Sequence, residues 1–254
     1  MLEALIWDVD GTIAETERDG HRLAFNQAFQ SLGLHWRWEP ARYGELLHIT
    51  GGRERLLADM DSHDDAPPDP AQRAALAAVL HRRKNEAYAD IVSMGRIVPR
   101  PGVLRLMDEA RAAGLRQAIA TTTSRTNVQA LLGGWFGRQW QDRFAAVVCG
   151  EDVVNKKPDP EVYLRTLAQL GCRADQAIAI EDSSPGLASA NRAGIAVLLT
   201  PSVYFPRTAA QLDADVQAGA RVLAVVDHLD QAPAVDVPRL QRLALDLAAR
   251  HPGA

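Results

Sequence analysis

The chain has 254 residues, 47% of them hydrophobic, enough for one large core or two modest ones, and its two cysteines, Cys149 and Cys172, form neither a zinc spacing nor a disulfide framework. A formal net charge of -4 argues against nucleic acid or an anionic membrane as partner. No apolar span approaches the ~18 residues of a membrane helix, and a cytoplasmic location is expected. The first element is the apolar run Ala4-Leu5-Ile6-Trp7, which reads as a buried parallel strand and ends in Asp8-Val9-Asp10-Gly11-Thr12. Side chains at i and i+2 share one side of a strand, so Asp8 and Asp10 can approach one cation. Magnesium suits such a pair, because it takes oxygen ligands and usually only one or two protein carboxylates. Gly11 lets the backbone come close to a ligand, and Thr12 offers a hydroxyl to a phosphoryl oxygen.

From about Ala14 to Ser93 the pattern is helical, with Leu23, Phe25, Ala28, Phe29 and Leu32 at helical spacing and no strand-like run. Pro67-Pro68-Asp69-Pro70 marks a loop, followed by a long helix from Ala71 to about Asp90. Strand candidates then fall at Gln117 to Ala120, Ala145 to Cys149, Ala177 to Ile180, Ala196 to Leu199 and Val222 to Val226, with helical segments between them. Repeated strand-helix alternation predicts an α/β fold with a doubly wound parallel sheet. Pro238 to Arg250 reads as an amphipathic closing helix. Chemistry-bearing residues follow three of these runs: Thr121 and Thr122 after the first, the pair Lys156-Lys157 before Pro158, and Glu181-Asp182 before Ser183-Ser184-Pro185-Gly186. A lysine in such a place can neutralise a phosphate, and clustered acids need a cation or hydrogen bonds to compensate their repulsion.

The order acid pair, hydroxyl, lysine, acid pair resembles the haloacid dehalogenase-like hydrolases, which are mostly phosphatases. Their four motifs match as Asp8-Val9-Asp10-Gly11-Thr12, Thr121, Lys157 and Glu181-Asp182 over essentially the whole chain. The resemblance implies a Rossmann-like core over 1–15 and 94–254 and a helical cap domain over 16–93. It also implies that Asp8 attacks phosphorus to form an aspartyl-phosphate, while Asp10 protonates the leaving alkoxide and deprotonates the attacking water. For that proton work Asp10 is expected to have a pKa raised by its neighbours. Mg2+ would be held by Asp8, the main-chain carbonyl of Asp10 and Asp182, with Glu181 in the outer shell. Lys157 would add positive charge, and Thr12 and Thr121 would hold the equatorial oxygens.

Within the cap segment, Glu15-Thr16-Glu17, His21-Arg22-Leu23-Ala24-Phe25-Asn26 and Thr50-Gly51-Gly52-Arg53-Glu54-Arg55 resemble the CbbY group of carbon-fixation operons. That group hydrolyses xylulose 1,5-bisphosphate, a misfire product that inhibits ribulose bisphosphate carboxylase. The resemblance makes Arg53, whose guanidinium can bind an anion in bidentate fashion, the candidate for a distal phosphate. Glu17, His21, Lys84 and Thr122 are further substrate-binding candidates. Trp7 stands where the family commonly has Phe, and Arg18-Asp19-Gly20 is one residue longer than the family pattern, which puts the position of His21 in question. A small phosphorylated sugar as substrate and a monomeric state are expected. A β-phosphoglucomutase-like phosphomutase and a phosphoglycolate phosphatase share the same motifs. A phosphorylated signalling domain fits poorly, because its phosphorylated Asp lies on a middle strand and it has no helical insert. A binding protein without turnover is disfavoured because every motif position is filled.

Overall fold

The computed structural model describes residues 1–250. Six parallel strands, β1 (Ala4–Trp7), β2 (Arg116–Ala120), β3 (Ala146–Val148), β4 (Ala177–Glu181), β5 (Ala196–Leu199) and β6 (Val222–Val225), form one sheet in the order β3-β2-β1-β4-β5-β6. The strands lie where the apolar runs placed them, and the doubly wound parallel sheet is the expected one. Register pairs Trp7 of β1 with Ile119 on one side and Ile180 on the other. Sequence order reverses between β1 and β4, and ligands of open α/β sheets bind at such a switch point beyond the carboxyl strand ends.

Alternation along the central strands supplies two cores. Leu5, Trp7, Ile178 and Ile180 face one apolar cluster, shared with α5 (Val103–Ala112), α6 (Arg125–Phe136) and α10 (Val237–Arg250). Ala4, Ile6, Ala118, Ala120, Ala177 and Ala179 face the other, where the small side chains let α7 (Glu161–Leu170) and α8 (Ser184–Arg192) approach closely. Local signals set the helix ends. Ser124 caps α6 and Ser183 caps α8 by accepting backbone N–H bonds, and Gly171 ends α7 in the left-handed region. The remaining helix, α9 (Ala209–Gln217), is capped by Thr208.

Between β1 and α5 the chain forms α1 (Arg22–Ser31), α2 (Pro40–Leu46), α3 (Gly52–Asp59) and the long α4 (Pro70–Ser93), the last capped by Asp69 with Pro70 in its first turn. These helices enclose a third cluster of Phe25, Phe29, Trp36, Trp38, Tyr43, Leu56 and Leu80. Its polar keystone is Asp59, which accepts hydrogen bonds from Trp38, from Arg42 Nη2 at 2.6 Å and from His63 Nε2 at 3.0 Å. Burial alone would raise its pKa, but the bonds from Trp38, His63 and Arg42 hold it below the usual carboxylate value. This contribution is therefore present above the unfolded pKa near ~3.9 and lost as pH falls through the lower folded value. Replacing Asp59 with Ala leaves the buried Trp38 indole without its acceptor. The expected loss is about 1–3 kcal/mol of stability, read from tryptophan fluorescence during urea unfolding.

The two chain crossings between this helical segment and the sheet run side by side. Ala14 forms an antiparallel bridge with Pro99, and the Arg100 amide donates to the Ile13 carbonyl at 2.9 Å.

Candidate active site

At the switch point β1 delivers Asp8 and β4 delivers Glu181 and Asp182, all buried, with carboxylate oxygens lying within 4.8 Å of one another. Lys157 enters on the loop after β3 and is buried too. Its Nζ donates to Asp8 Oδ1 at 2.6 Å, Glu181 Oε1 at 2.7 Å and the Ala120 carbonyl at 2.9 Å, so all three protons are used. The same Glu181 oxygen accepts the Tyr163 hydroxyl. Burial disfavours the lysine's charge, yet Asp8 and Glu181 outweigh it and raise the Lys157 pKa.

One lysine does not balance three acids. Burial pushes the Asp8 pKa up to about 7; Lys157 opposes this, while Glu181 and Asp10 add to it. Asp182 is raised well above the usual range by burial, Asp8 and Glu181, against the Ser202 hydroxyl and Lys157. Glu181 Oε2 has no hydrogen-bond partner among the described residues. An oxygen-only donor set with surplus negative charge and an unused carboxylate oxygen suits a hard divalent cation.

Asp10 lies apart from that cluster. Its Oδ1 accepts the Thr16 hydroxyl at 2.6 Å and faces His21 Nε2 at 2.9 Å. Burial favours the neutral acid, but the charge and hydrogen bond of His21, the bond from Thr16 and the charge of Lys84 prevail, holding Asp10 well below the ordinary range. The expected upward shift is thus reversed in this arrangement, because a cation and two hydrogen bonds stabilise the ionised form.

The segment Arg18-Asp19-Gly20, expected to be one residue longer than the family pattern, lies in a wide turn. Glu17–His21 is π-helical, and the Arg22 amide donates to the Glu17 carbonyl. Gly20 packs at the centre of this turn, where a Cβ would come within 2.7 Å of Tyr88 and Ile97. His21 stacks on Tyr88 at 4.1 Å and still reaches Asp10.

A cavity of about 450 Å3 opens over the acids, and Asp8, Asp10, Glu17, His21, Arg53, Lys84, Thr121, Thr122, Lys157 and Asp182 all line it. Two candidates do not. Thr12 is buried with its hydroxyl unpartnered among the described residues, and Glu181 sits fully buried behind Lys157. The wall also carries cations. The His81 pKa is pulled down to about 4 by burial and then by Lys84, Lys156 and Arg53. Lys84 is brought down to about 8 by burial, against the charges of Asp10 and Glu17.

Arg55, on the cavity wall, and Tyr204, outside it, had no individual sequence signal. Arg55 is locked by the Tyr43 hydroxyl at 3.0 Å and the Ile49 carbonyl at 3.1 Å, with Glu17 at 3.5 Å, while Tyr43 also donates to Glu17. Arg53, two residues earlier, is exposed. Lys156 pairs with Glu54 of α3 at 2.5 Å, and Tyr204, after β5, packs edge-on against Tyr43 of α2. Arg55 stands in the same glycine-led segment as Arg53 and could have been weighed with it. Tyr204 lies in no motif.

The sequence profile described as hydrolase, haloacid dehalogenase-like hydrolase, matches residues 2–194. The chain belongs to the haloacid dehalogenase-like hydrolases. Within this family it falls in the CbbY group. Protein CbbY of Rhodobacter capsulatus is 47% identical over 80% of this chain and 87% of its own length. The crystal structure of CbbY from Rhodobacter sphaeroides in complex with phosphate is 37% identical and has a TM-score of 0.83, covering 95% of this chain and 100% of that one. An Asp-to-Asn mutant of the same protein in complex with xylulose 1,5-bisphosphate is 38% identical with a TM-score of 0.78, covering 90% of this chain and 95% of that one. Among the described residues of this family member, no helix is long and apolar enough to cross a membrane.

Proposed function

We propose that this family member is a magnesium-dependent phosphatase acting on a small sugar bisphosphate, most specifically xylulose 1,5-bisphosphate. The observation that carries this reading is the surplus of cations lining one cavity, where Arg53, Lys84 and Lys156 act on a deprotonated His81 in addition to the Lys157 that sits among the acids. A single phosphate needs only Lys157. A second phosphate accounts for the other cations, where an anion would relieve the repulsion that suppresses His81. The complex of the Rhodobacter sphaeroides relative with xylulose 1,5-bisphosphate supports the choice of sugar.

In this reading Asp8 attacks phosphorus in line and forms an aspartyl-phosphate, and the sugar alkoxide leaves with a proton from Asp10. Water then attacks the acyl-phosphate as Asp10 takes its proton. In the cavity as it stands Asp10 is ionised, ready for the second of these steps. A dianionic phosphate brought beside it opposes the charge of Lys84 and raises its proton affinity for the first. A divalent cation held by Asp8, Asp182 and the Asp10 main-chain carbonyl, with Glu181 behind them, would supply the charge that lets a carboxylate approach a phosphate. Thr121, which accepts the Thr123 amide at 3.2 Å, and Thr122 would hold phosphoryl oxygens. The helical segment 16–93 would form a cap over the cavity, turning on the residues next to Glu15 and Gly95.

Phosphate release from xylulose 1,5-bisphosphate, ribulose 1,5-bisphosphate, phosphoglycolate and β-glucose 1-phosphate, with and without magnesium, tests the reading. Preference for the xylulose bisphosphate supports it, and isomerisation of glucose 1-phosphate would replace it with a mutase. Arg53→Ala is expected to raise KM for the bisphosphate about 10- to 100-fold with kcat little changed, the value of a charged hydrogen bond. An unchanged KM would remove Arg53 from the distal site.

A further inference from the structure

Arg100 lies where the chain returns from the inserted helices, its side chain only 8% exposed. Its guanidinium carries five N–H groups in a planar fork, and each of them faces an acceptor. Nη1 donates to the carbonyls of Gly11 and, at 2.7 Å, Thr200. Nη2 donates to those of Pro201 at 3.0 Å and Asp227 at 2.7 Å, while Nε faces Glu15 at 3.6 Å. These carbonyls belong to the turn after Asp10 and to the exits of β5 and β6. The Thr200 amide in turn donates to the carbonyl of Glu181, the residue before Asp182, at 2.7 Å. The backbone of the same stretch is tied to the first crossing through Ala14–Pro99 and Ile13.

A buried cation costs desolvation, and apolar packing alone could fill this volume. Lysine, with three protons on one atom, cannot span four carbonyls on separate loops. We propose that Arg100 is a positioning residue that locks the second cap crossing, the Gly11 turn and the β5 exit into one body, holding Asp10 and Asp182 in register while the cap turns. It rests on the phosphatase reading for its effect on rate, though not for its effect on the loops. Arg100 does not line the cavity, so it acts through the loops rather than on substrate.

The test compares Arg100→Lys with Arg105→Lys. Arg105 donates to the Leu229 and Val235 carbonyls away from the cavity and serves as a control for lost stability. Arg100→Lys is expected to lower kcat about 10- to 100-fold on xylulose 1,5-bisphosphate or 4-nitrophenyl phosphate, the scale of a ~1 Å misplacement, with KM within about twofold. Arg105→Lys should lower Tm and leave kcat within about twofold of wild type. Hydrogen exchange provides a readout independent of turnover, with faster exchange over residues 9–16 and 200–203 in Arg100→Lys only. Unchanged exchange in those segments, an unchanged kcat, a loss confined to KM, or an equal kcat loss in Arg105→Lys would each overturn the proposal. A wild-type chain inactive on every phosphate would overturn the phosphatase reading instead, and the exchange comparison would still decide the role of Arg100.

Discussion

Asp8→Asn is expected to lower kcat about 10^5-fold or more while leaving the fold intact, the scale seen when a covalent nucleophile is removed. The amide keeps the shape of the carboxylate and an oxygen for the Lys157 bond, but it cannot attack phosphorus. A second consequence separates this from simple damage. The Asp8 carboxyl is pushed up to about 7 by burial, with Lys157 opposing and Glu181 and Asp10 reinforcing. A carboxyl whose folded pKa lies above its unfolded ~3.9 makes the folded state bind more protons, so stability falls as pH rises between those values. Asparagine removes that cost. In metal-free buffer the variant should therefore melt above wild type at pH 8, with the advantage shrinking toward pH 5. A residual rate within a hundredfold of wild type would mean that another group carries the phosphoryl transfer.

Lys157→Met should be less damaging to activity than Asp8→Asn and far worse for stability. Asp8 and Glu181 lose the buried cation that both of them contact, and Asp182 loses a compensating charge. Leaving buried charges unpaired costs about 3–5 kcal/mol, and removing an electrostatic stabiliser of the transferring phosphoryl group costs about 10^2- to 10^3-fold in kcat. Without Lys157 the neighbouring carboxyl pKa values rise further, so the lost stability should return as pH drops toward ~5 and the acids become neutral. Urea unfolding at the two pH values reads this directly. A methionine variant as stable as wild type at pH 8 would show that the three acids are compensated in some other way.

The features legible in the sequence share one property: they are written in consecutive residues. Buried parallel strands are unbroken apolar runs, so Ala4–Trp7 and Ala177–Ile180 could be placed to within a residue, along with the acids that follow them. The wide turn over Glu17–His21 was hidden, because Gly20 within it packs on Tyr88 and Ile97, far along the chain. The ionisation of Asp10 was hidden for a similar reason, since its sign depends on His21 and Lys84 arriving together. Arg100 gave no signal because four of its partners are main-chain carbonyls, which leave no trace in side-chain composition. The Thr12 hydroxyl sits in a matching motif yet is buried off the cavity wall, a distinction that residue type alone cannot express.

The strand order also sets a timetable for synthesis. Ala4 pairs with Arg116 and Ala177, so the strand that leads to Asp8 leaves the ribosome before either of its neighbours and waits for both. The aromatic cluster from Phe25 to Leu80 needs no such partner, since its members all emerge within that interval. Contacts close in sequence form before distant ones, so the nascent chain gains its helical insert while β1 is still an unpaired apolar segment. Asp8, at the end of that segment, meets its acidic neighbours Glu181 and Asp182 only when β4 arrives, which delays assembly of the buried cluster until all of β1 to β4 has been made.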